Sequence, residues 1–281
     1  MKIIKNSIVT GKFSKPLLTD IFFEETTFAK PVILFCHGYK GFKDWGPWDL
    51  VAKFFAKKGY CFIKFNFSHN GCTVEQPDYF DDLQSFGENT YSKEMSDVDS
   101  LLDWIYGKQN PYIKHMDLSK VSIIGHSRGG GIATLVAAID SRIRTLITWA
   151  GVSNFKDRFP KEKALSDWKK SGVMYVTNKR TLQEMPHYYS FYTDFLQNEK
   201  NLTIEIAAKK INIPTLIIHG ELDTAVTYKE AKNLKTWIPH STLITIEEAN
   251  HVFGAQHPYC QKKLPSQLLK AVEESINFAF L

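Results

Sequence analysis

Gly125-His126-Ser127-Arg128-Gly129 sets a serine between two glycines, directly after the apolar run Val121–Ile124 and directly before a small-residue run that reaches Ile139. A serine hydroxyl is a weak nucleophile until a base takes its proton, and the base needs an acid to orient it. A serine at the apex of a sharp strand-to-helix turn is lifted clear of the sheet, provided its neighbours are small enough for strand and helix to close together. The helix N-terminus then lies behind the hydroxyl, where free N–H groups carry partial positive charge and hold anions. The simpler alternative is a glycine-rich turn in which Ser127 only caps the helix. The rest of the chain decides between the two.

An acid and a histidine are expected later, each at the end of a strand. In PTLIIHGELDTAV the run Thr215–His219 leads into Asp223, and in STLITIEEANHVF the run Leu243–Ile246 leads into His251. The chain order Ser127, Asp223, His251 suits nucleophile, orienting acid and base. Glu221 is the second choice for the acid, two residues closer to its strand, while Glu247 and Glu248 read as solvated loop acids. Acyl transfer also needs N–H donors where the oxyanion develops. One is the backbone N–H of Arg128; the other is expected from Tyr39 in VILFCHGYKGFKDWG, where a strand Val32–Cys36 runs into His37-Gly38-Tyr39. His37 is read as a buttress for that loop. Substrate contacts are expected from Tyr39, His126, Tyr189 and Val226, although packing is the commoner role for a residue placed like His126. The Arg128 side chain either pairs with a neighbouring acid or meets a substrate carboxylate. His257 and Cys260 in HPYC lack metal-ligand spacing, so neither a metal nor another cofactor is expected.

Elements able to position these residues alternate along the chain. Strand-like runs fall at Ile3–Val9, Leu17–Glu24, Val32–Cys36, Cys61–Phe67, Val121–Ile124, Thr145–Trp149, Thr215–His219 and Leu243–Ile246. Helical patterns fall at Pro47–Lys58, Lys93–Tyr106, Gly129–Ile139, Tyr228–Trp237 and Leu264–Phe280. Several strands are continuously apolar, as strands covered on both faces are. Strand–helix alternation of this kind predicts an α/β fold, with a mostly parallel eight-stranded sheet and helices on both faces. No helix separates the first two strands, which predicts an antiparallel hairpin at the sheet edge. Residues 153–210 lack this rhythm but hold many aromatics, among them Phe155, Phe159, Trp168, Tyr189, Phe191 and Phe195. So long a structureless loop is unusual in a compact domain, so the segment is read as a small helical cap with a hairpin near Gly172–Asn178. Most of its aromatics are expected to pack it onto the sheet, with two or three facing substrate.

Composition narrows the class. The 281 residues are 43% hydrophobic and 23% charged, with a net charge of +5 spread along the chain. No basic block suggests a nucleic-acid partner, and no run approaches the roughly 20 apolar residues of a membrane span. The four cysteines form no CxxC pair, and the opening MKIIKNSIVTGKF lacks the apolar core of a secretory signal, so a reducing, cytoplasmic setting is expected. Aromatics on the cap leave room for a homodimer.

His37–Tyr39, Gly125–Gly129, the HGxxD of His219–Asp223 and Asn250-His251 together resemble the α/β-hydrolase fold superfamily over essentially the whole chain. Within it the chain is similar to the dienelactone-hydrolase-like and prolyl-oligopeptidase-like branch. It also resembles bacterial cinnamoyl and feruloyl esterases, which carry a cap between the sixth strand and the acid-bearing one. HGYKG in place of HGGG sets it apart from the hormone-sensitive-lipase type, and serine in place of cysteine from true dienelactone hydrolysis. The resemblance implies one domain over residues 1–281 with the cap inside it, hydrolysing esters of small or aromatic acyl groups through an acyl-enzyme. Two alternatives stand beside it. One is an aminopeptidase or acyl-peptide hydrolase, whose substrate amine would meet acids such as Asp157, Glu162, Asp167 or Glu184. The other is a relative that binds a ligand without catalysis.

Overall fold

The computed structural model describes residues 1–279. Ten strands and ten α-helices follow one another along it. The strands are β1 (Lys2–Thr10), β2 (Pro16–Phe23), β3 (Lys30–Cys36), β4 (Cys61–Phe65), β5 (Met116–His126), β6 (Thr145–Trp149), β7 (Val173–Thr177), β8 (Glu184–Tyr188), β9 (Thr215–Gly220) and β10 (Thr242–Ile246). The helices are α1 (Trp48–Lys57), α2 (Leu83–Gly87), α3 (Tyr91–Tyr106), α4 (Arg128–Ala137), α5 (Glu162–Ser171), α6 (Ser190–Gln197), α7 (Glu199–Leu202), α8 (Ile204–Ala208), α9 (Tyr228–Trp237) and α10 (Ser266–Ala279). The expected last helix reached Phe280, which lies outside the described residues.

Eight strands form one sheet in the order β1-β2-β4-β3-β5-β6-β9-β10. β1 and β2 pair antiparallel at one edge, β2 meets β4 antiparallel, and every later pairing is parallel. The apolar runs explain this arrangement. In β3, Val32, Leu34 and Cys36 join the core under α3 and α4, while Ile33 and Phe35 join the core on the other face with α1 and α10. A strand buried on both faces has no polar side to show, which is why its sequence does not alternate.

β5 is longer than its apolar run. Its first residues pair with Lys30 and Pro31 of β3, then a bulge sets the register that continues at Val32 and Val121. Asp117, Ser119 and Lys120 face outward there, so hydrophobic pattern alone does not reveal that half of the strand. α3 begins at Tyr91 rather than Lys93 because Thr90 caps it, its Oγ1 accepting from the Lys93 N–H at 3.2 Å.

Between β6 and β9 lie α5 to α8 and a two-stranded antiparallel hairpin, β7–β8. Phe155, Phe159, Trp168, Phe191 and Phe195 are buried in a cluster that stacks on Tyr91 of α3; the Tyr91 and Phe155 rings lie 3.8 Å apart and nearly parallel. Tyr175 is the outward-facing exception among the aromatics of β7 and β8. Among the described residues no helix is long and apolar enough to cross a membrane.

Candidate active site

The glycines around Ser127 are required by how close the backbone comes. A Cβ on Gly125 would stand 2.2 Å from the Gly129 carbonyl oxygen, and one on Gly129 would stand 2.3 Å from that of Cys36. Strand and helix therefore meet with no room for side chains. Ser127 itself has φ 58° and ψ −120°, a conformation that costs an L-residue about 1–3 kcal/mol. Its neighbours hold it there: the Ser127 N–H donates to the Trp149 carbonyl at 2.9 Å, and its carbonyl accepts from the N–H groups of Gly130 and Val152. Its side chain makes no capping bond to α4. The hydroxyl instead donates to Nε2 of His251 at 2.9 Å.

His251 continues the chain. Its Nδ1–H donates to Oδ2 of Asp223 at 2.7 Å, which fixes the tautomer that leaves Nε2 free to accept from serine. Asp223 is buried, with Oδ1 accepting from the N–H groups of Ala225 and Val226 at 2.9 Å each. Burial pushes its carboxyl up, but hydrogen bonds from His219 and His251 and the Val226 N–H outweigh that and hold it well below the ordinary carboxylate range. Glu221, two residues earlier, instead accepts from the Glu248 N–H on the exposed side of the turn.

His126 is buried against Trp48 and His251, and its Nε2–H donates to the His251 carbonyl at 2.9 Å. Burial, reinforced by the His251 ring, takes its pKa down to about 3, so it stays neutral. His37 donates from Nδ1 to the Gly38 carbonyl and accepts at Nε2 from the Phe67 N–H, tying the loop after β3 to the one after β4. That loop passes hard against the serine: a Cβ on Gly38 would stand 2.9 Å from the Ser127 Cβ. Tyr39 follows, and Arg128 opens α4, so both backbone N–H groups belong to residues bordering the hydroxyl. An N–H in the first turn of a helix has no partner within that helix.

Two cavities flank Ser127 and share Tyr39, Ser127 and His251. The larger, about 410 Å³, is walled by Tyr91, Phe155, Phe159, Met174, Phe191 and Val226, with Arg128, Arg158 and His187 among the polar lining. The smaller, about 210 Å³, is bordered by Trp45, Trp48, His126, Lys40, Asn178 and Arg180. Tyr39, Val226 and His126, the expected substrate contacts, border one cavity or the other. Tyr189 does not line either. It turns away onto Trp168 and Tyr192, because as the residue before α6 it closes the helix onto α5, its N–H donating to the Gly172 carbonyl.

Arg128 lies over the Tyr39 ring at 4.2 Å and pairs with the buried Glu94 of α3 at 3.3 Å. Its side chain is thus matched to an acid inside the protein. His187, Glu94, Asn178 and Arg180 are the site neighbours that no motif announces. His187 meets the Tyr39 hydroxyl at 2.6 Å, a contact between residues 148 positions apart that only the folded chain creates. Asp157, Glu162, Asp167 and Glu184 are all exposed, and none lines either cavity.

Residues 31–170 match the family model for the alpha/beta hydrolase fold. This is an α/β-hydrolase fold. A Mycoplasma pneumoniae protein bearing the name "Putative esterase/lipase 2" is 26% identical over 250 residues, which cover 82% of this chain and 84% of that one. Among solved structures, the α/β-hydrolase chain resembles Est1E from Butyrivibrio proteoclasticus with ferulic acid bound. The TM-score is 0.73, with 17% identity and coverage of 98% of this chain and 99% of that one. It also resembles a dienelactone hydrolase from Anabaena variabilis, with TM-score 0.64, 16% identity and coverage of 99% and 97%. At these identities the two structures speak to the α/β-hydrolase fold alone.

Proposed function

We propose that the protein is a serine hydrolase that cleaves carboxylic esters through an acyl-enzyme. The observation that carries this reading is the unbroken hydrogen-bond chain from Asp223 through His251 to Ser127, ending at the mouth of an apolar cavity. In this reading Ser127 Oγ attacks the ester carbonyl while His251 Nε2 takes its proton, and Asp223 stabilises the resulting imidazolium. The N–H groups of Tyr39 and Arg128 receive the oxyanion, and each such donor is worth about 3–4 kcal/mol in the transition state. His251 returns the proton to the departing alcohol, then activates the water that releases the acid. The aromatic cap, residues 153–210, supplies an apolar wall suited to a small or aromatic acyl or alcohol group.

Hydrolysis of short-chain 4-nitrophenyl esters is the first expectation, together with covalent labelling by a fluorophosphonate. Ser127→Ala should lower kcat/KM by about 10⁴-fold or more and abolish labelling, with the far-ultraviolet circular dichroism of the wild type retained. Unchanged turnover in that variant, or a folded wild type that resists the label, would overturn the reading. The exposure of the four cap acids weighs against the peptidase alternative, and aminoacyl anilides should accordingly be poor substrates.

A further inference from the structure

The two cavities beside Ser127 differ in how their positive charges are matched. In the larger one, Arg128 pairs with Glu94 and Arg158 is hydrogen-bonded to Glu230, so each guanidinium already has its acid. The smaller one is lined by Lys40 and Arg180, and among the described residues neither forms an ion pair. No carboxylate lines that cavity either, among the described residues. His37 and His126 face it in neutral form, their pKa values taken down by burial to about 4 and about 3.

Arg180 is nonetheless placed. Its guanidinium lies 5.5 Å from the centre of the Phe42 ring and 5.9 Å from that of Phe80. The Lys40 ammonium sits 5.2 Å from the centre of the Tyr39 ring and donates to the Thr177 carbonyl at 3.4 Å. Burial, then the positive charges of Arg180, Lys179 and Arg128, pull its pKa below the usual lysine range. A third donor points the same way. Asn178 is 4% exposed and lines the cavity, with its backbone and Oδ1 all engaged: N–H to the Gln183 carbonyl, C=O from the Leu182 N–H, Oδ1 from the Arg180 N–H. Its Nδ2 is buried with no partner. A buried amide donor without an acceptor costs about 1–3 kcal/mol, a cost that a ligand oxygen would remove.

We propose that the smaller cavity is an anion subsite, in which Lys40, Arg180 and the Nδ2 of Asn178 receive a carboxylate or phosphate group carried by the ester substrate. The inference rests on hydrolysis at Ser127 and narrows its substrates to esters with a compact negative group on one side of the scissile bond. A planar guanidinium suits two oxygens of one oxyacid, the amide N–H offers a further donor, and the ammonium adds charge without directional demand.

The test compares kcat/KM for a neutral ester, 4-nitrophenyl butyrate, with that for three anionic esters. These are the 4-nitrophenyl monoester of succinic acid, the butyryl ester of glycolic acid, and the butyryl ester of glycerol 3-phosphate. Their neutral counterparts are the methylated diester, the butyryl ester of ethylene glycol and monobutyrin. The three arms separate a charge on the acyl side from one on the alcohol side, and carboxylate from phosphate. At least one anionic ester is expected to exceed its counterpart by about tenfold or more. Arg180→Gln with Lys40→Gln, and separately Asn178→Ala, should collapse that ratio toward one, while the remote Lys120→Gln keeps the wild-type ratio.

If neutral esters are turned over in a Ser127-dependent way and every anionic ester is equal or worse, the subsite is wrong and the hydrolase reading stands. If no ester is turned over, titration of Ser127→Ala with succinate and with inorganic phosphate decides. Saturable binding that the Arg180 and Lys40 substitutions remove sustains the anion site without the hydrolase reading, and absence of binding ends both.

Discussion

Asp223 rather than Glu221 meets the imidazole because of how the turn after β9 is tied. The Asp223 carboxylate reaches back over the turn to the N–H groups of Ala225 and Val226, which sets Oδ2 toward His251. Glu221 leaves on the other side, toward the backbone of Glu248. Asp223→Asn should therefore lower kcat about 10⁴-fold by disturbing the imidazole tautomer, whereas Glu221→Gln should stay within about twofold, both read with a 4-nitrophenyl ester. Gly38 offers a second check at this scale. A methyl group there would press on Ser127 at 2.9 Å, in a loop whose N–H groups are proposed to meet the oxyanion. Gly38→Ala is expected to lose about 10²–10³-fold in kcat, read per folded molecule, together with a lowered Tm from the overpacking. An active Gly38→Ala enzyme would count against this loop as an oxyanion donor.

α3 carries an electrostatic load unusual for a core helix. Glu94 and Asp97, three residues apart, are both buried, and each keeps one carboxylate oxygen without a partner. Glu94 is tied to Arg128 and to the Asn89 amide, and Oδ2 of Asp97 accepts from the Ser68 N–H at 2.8 Å. Burial first, with the Glu94 charge adding to it, raises the Asp97 pKa to about 7. In the unfolded chain the same carboxyl ionises near 3.9. Between those values the folded state holds the extra proton, so stability falls as pH rises through that window. Wild-type stability should drop by about 3 kcal/mol from pH 5 to pH 8 through this one group, as measured by urea denaturation. Asp97→Asn keeps the acceptor for Ser68 and should flatten the decline. An identical pH profile in that variant would show that another group governs it.

Over the whole molecule, the β1–β2 edge of the sheet is held by charge. Asp20 of β2 is fully buried and contacts the ammonium groups of Lys5, Lys43 and Lys64 at 2.7–3.0 Å. Asp44 and Asp49 complete the network, tying the antiparallel β1–β2 edge to β4 and to the start of α1. These three aspartates stand close enough to hold a cation, and the lysine ammonium groups already occupy the space between them. Removing one partner leaves buried charge uncompensated, so Lys64→Ala should destabilise the protein by about 3–5 kcal/mol. Activity per folded molecule should not change, since no residue of the network lines either cavity beside Ser127. Parallel melts and specific-activity measurements on the soluble fraction would check both halves.

Local rules in the chain itself determined the parallel sheet, the antiparallel edge, the strained turn at Ser127 and the strand-end positions from which Asp223 and His251 reach toward it. Apolar runs of strand length, glycines forced by close approach and strand-end placement are all short-range signals. The outer half of β5 escapes them because its residues face water, and they do not place Tyr189, because an aromatic between β6 and β9 carries no sign of which way it turns. Only the tertiary structure decided the surroundings of the serine: Glu94 beneath Arg128, His187 on Tyr39, and Asn178 with Arg180 opposite Lys40. Those partners lie up to 148 positions apart; Glu94 meets Arg128 where α3 packs on α4, and His187, Asn178 and Arg180 arrive with the segment between β6 and β9 as it packs back over the sheet. Burial and charge matching are properties of that packing, which no stretch of sequence contains.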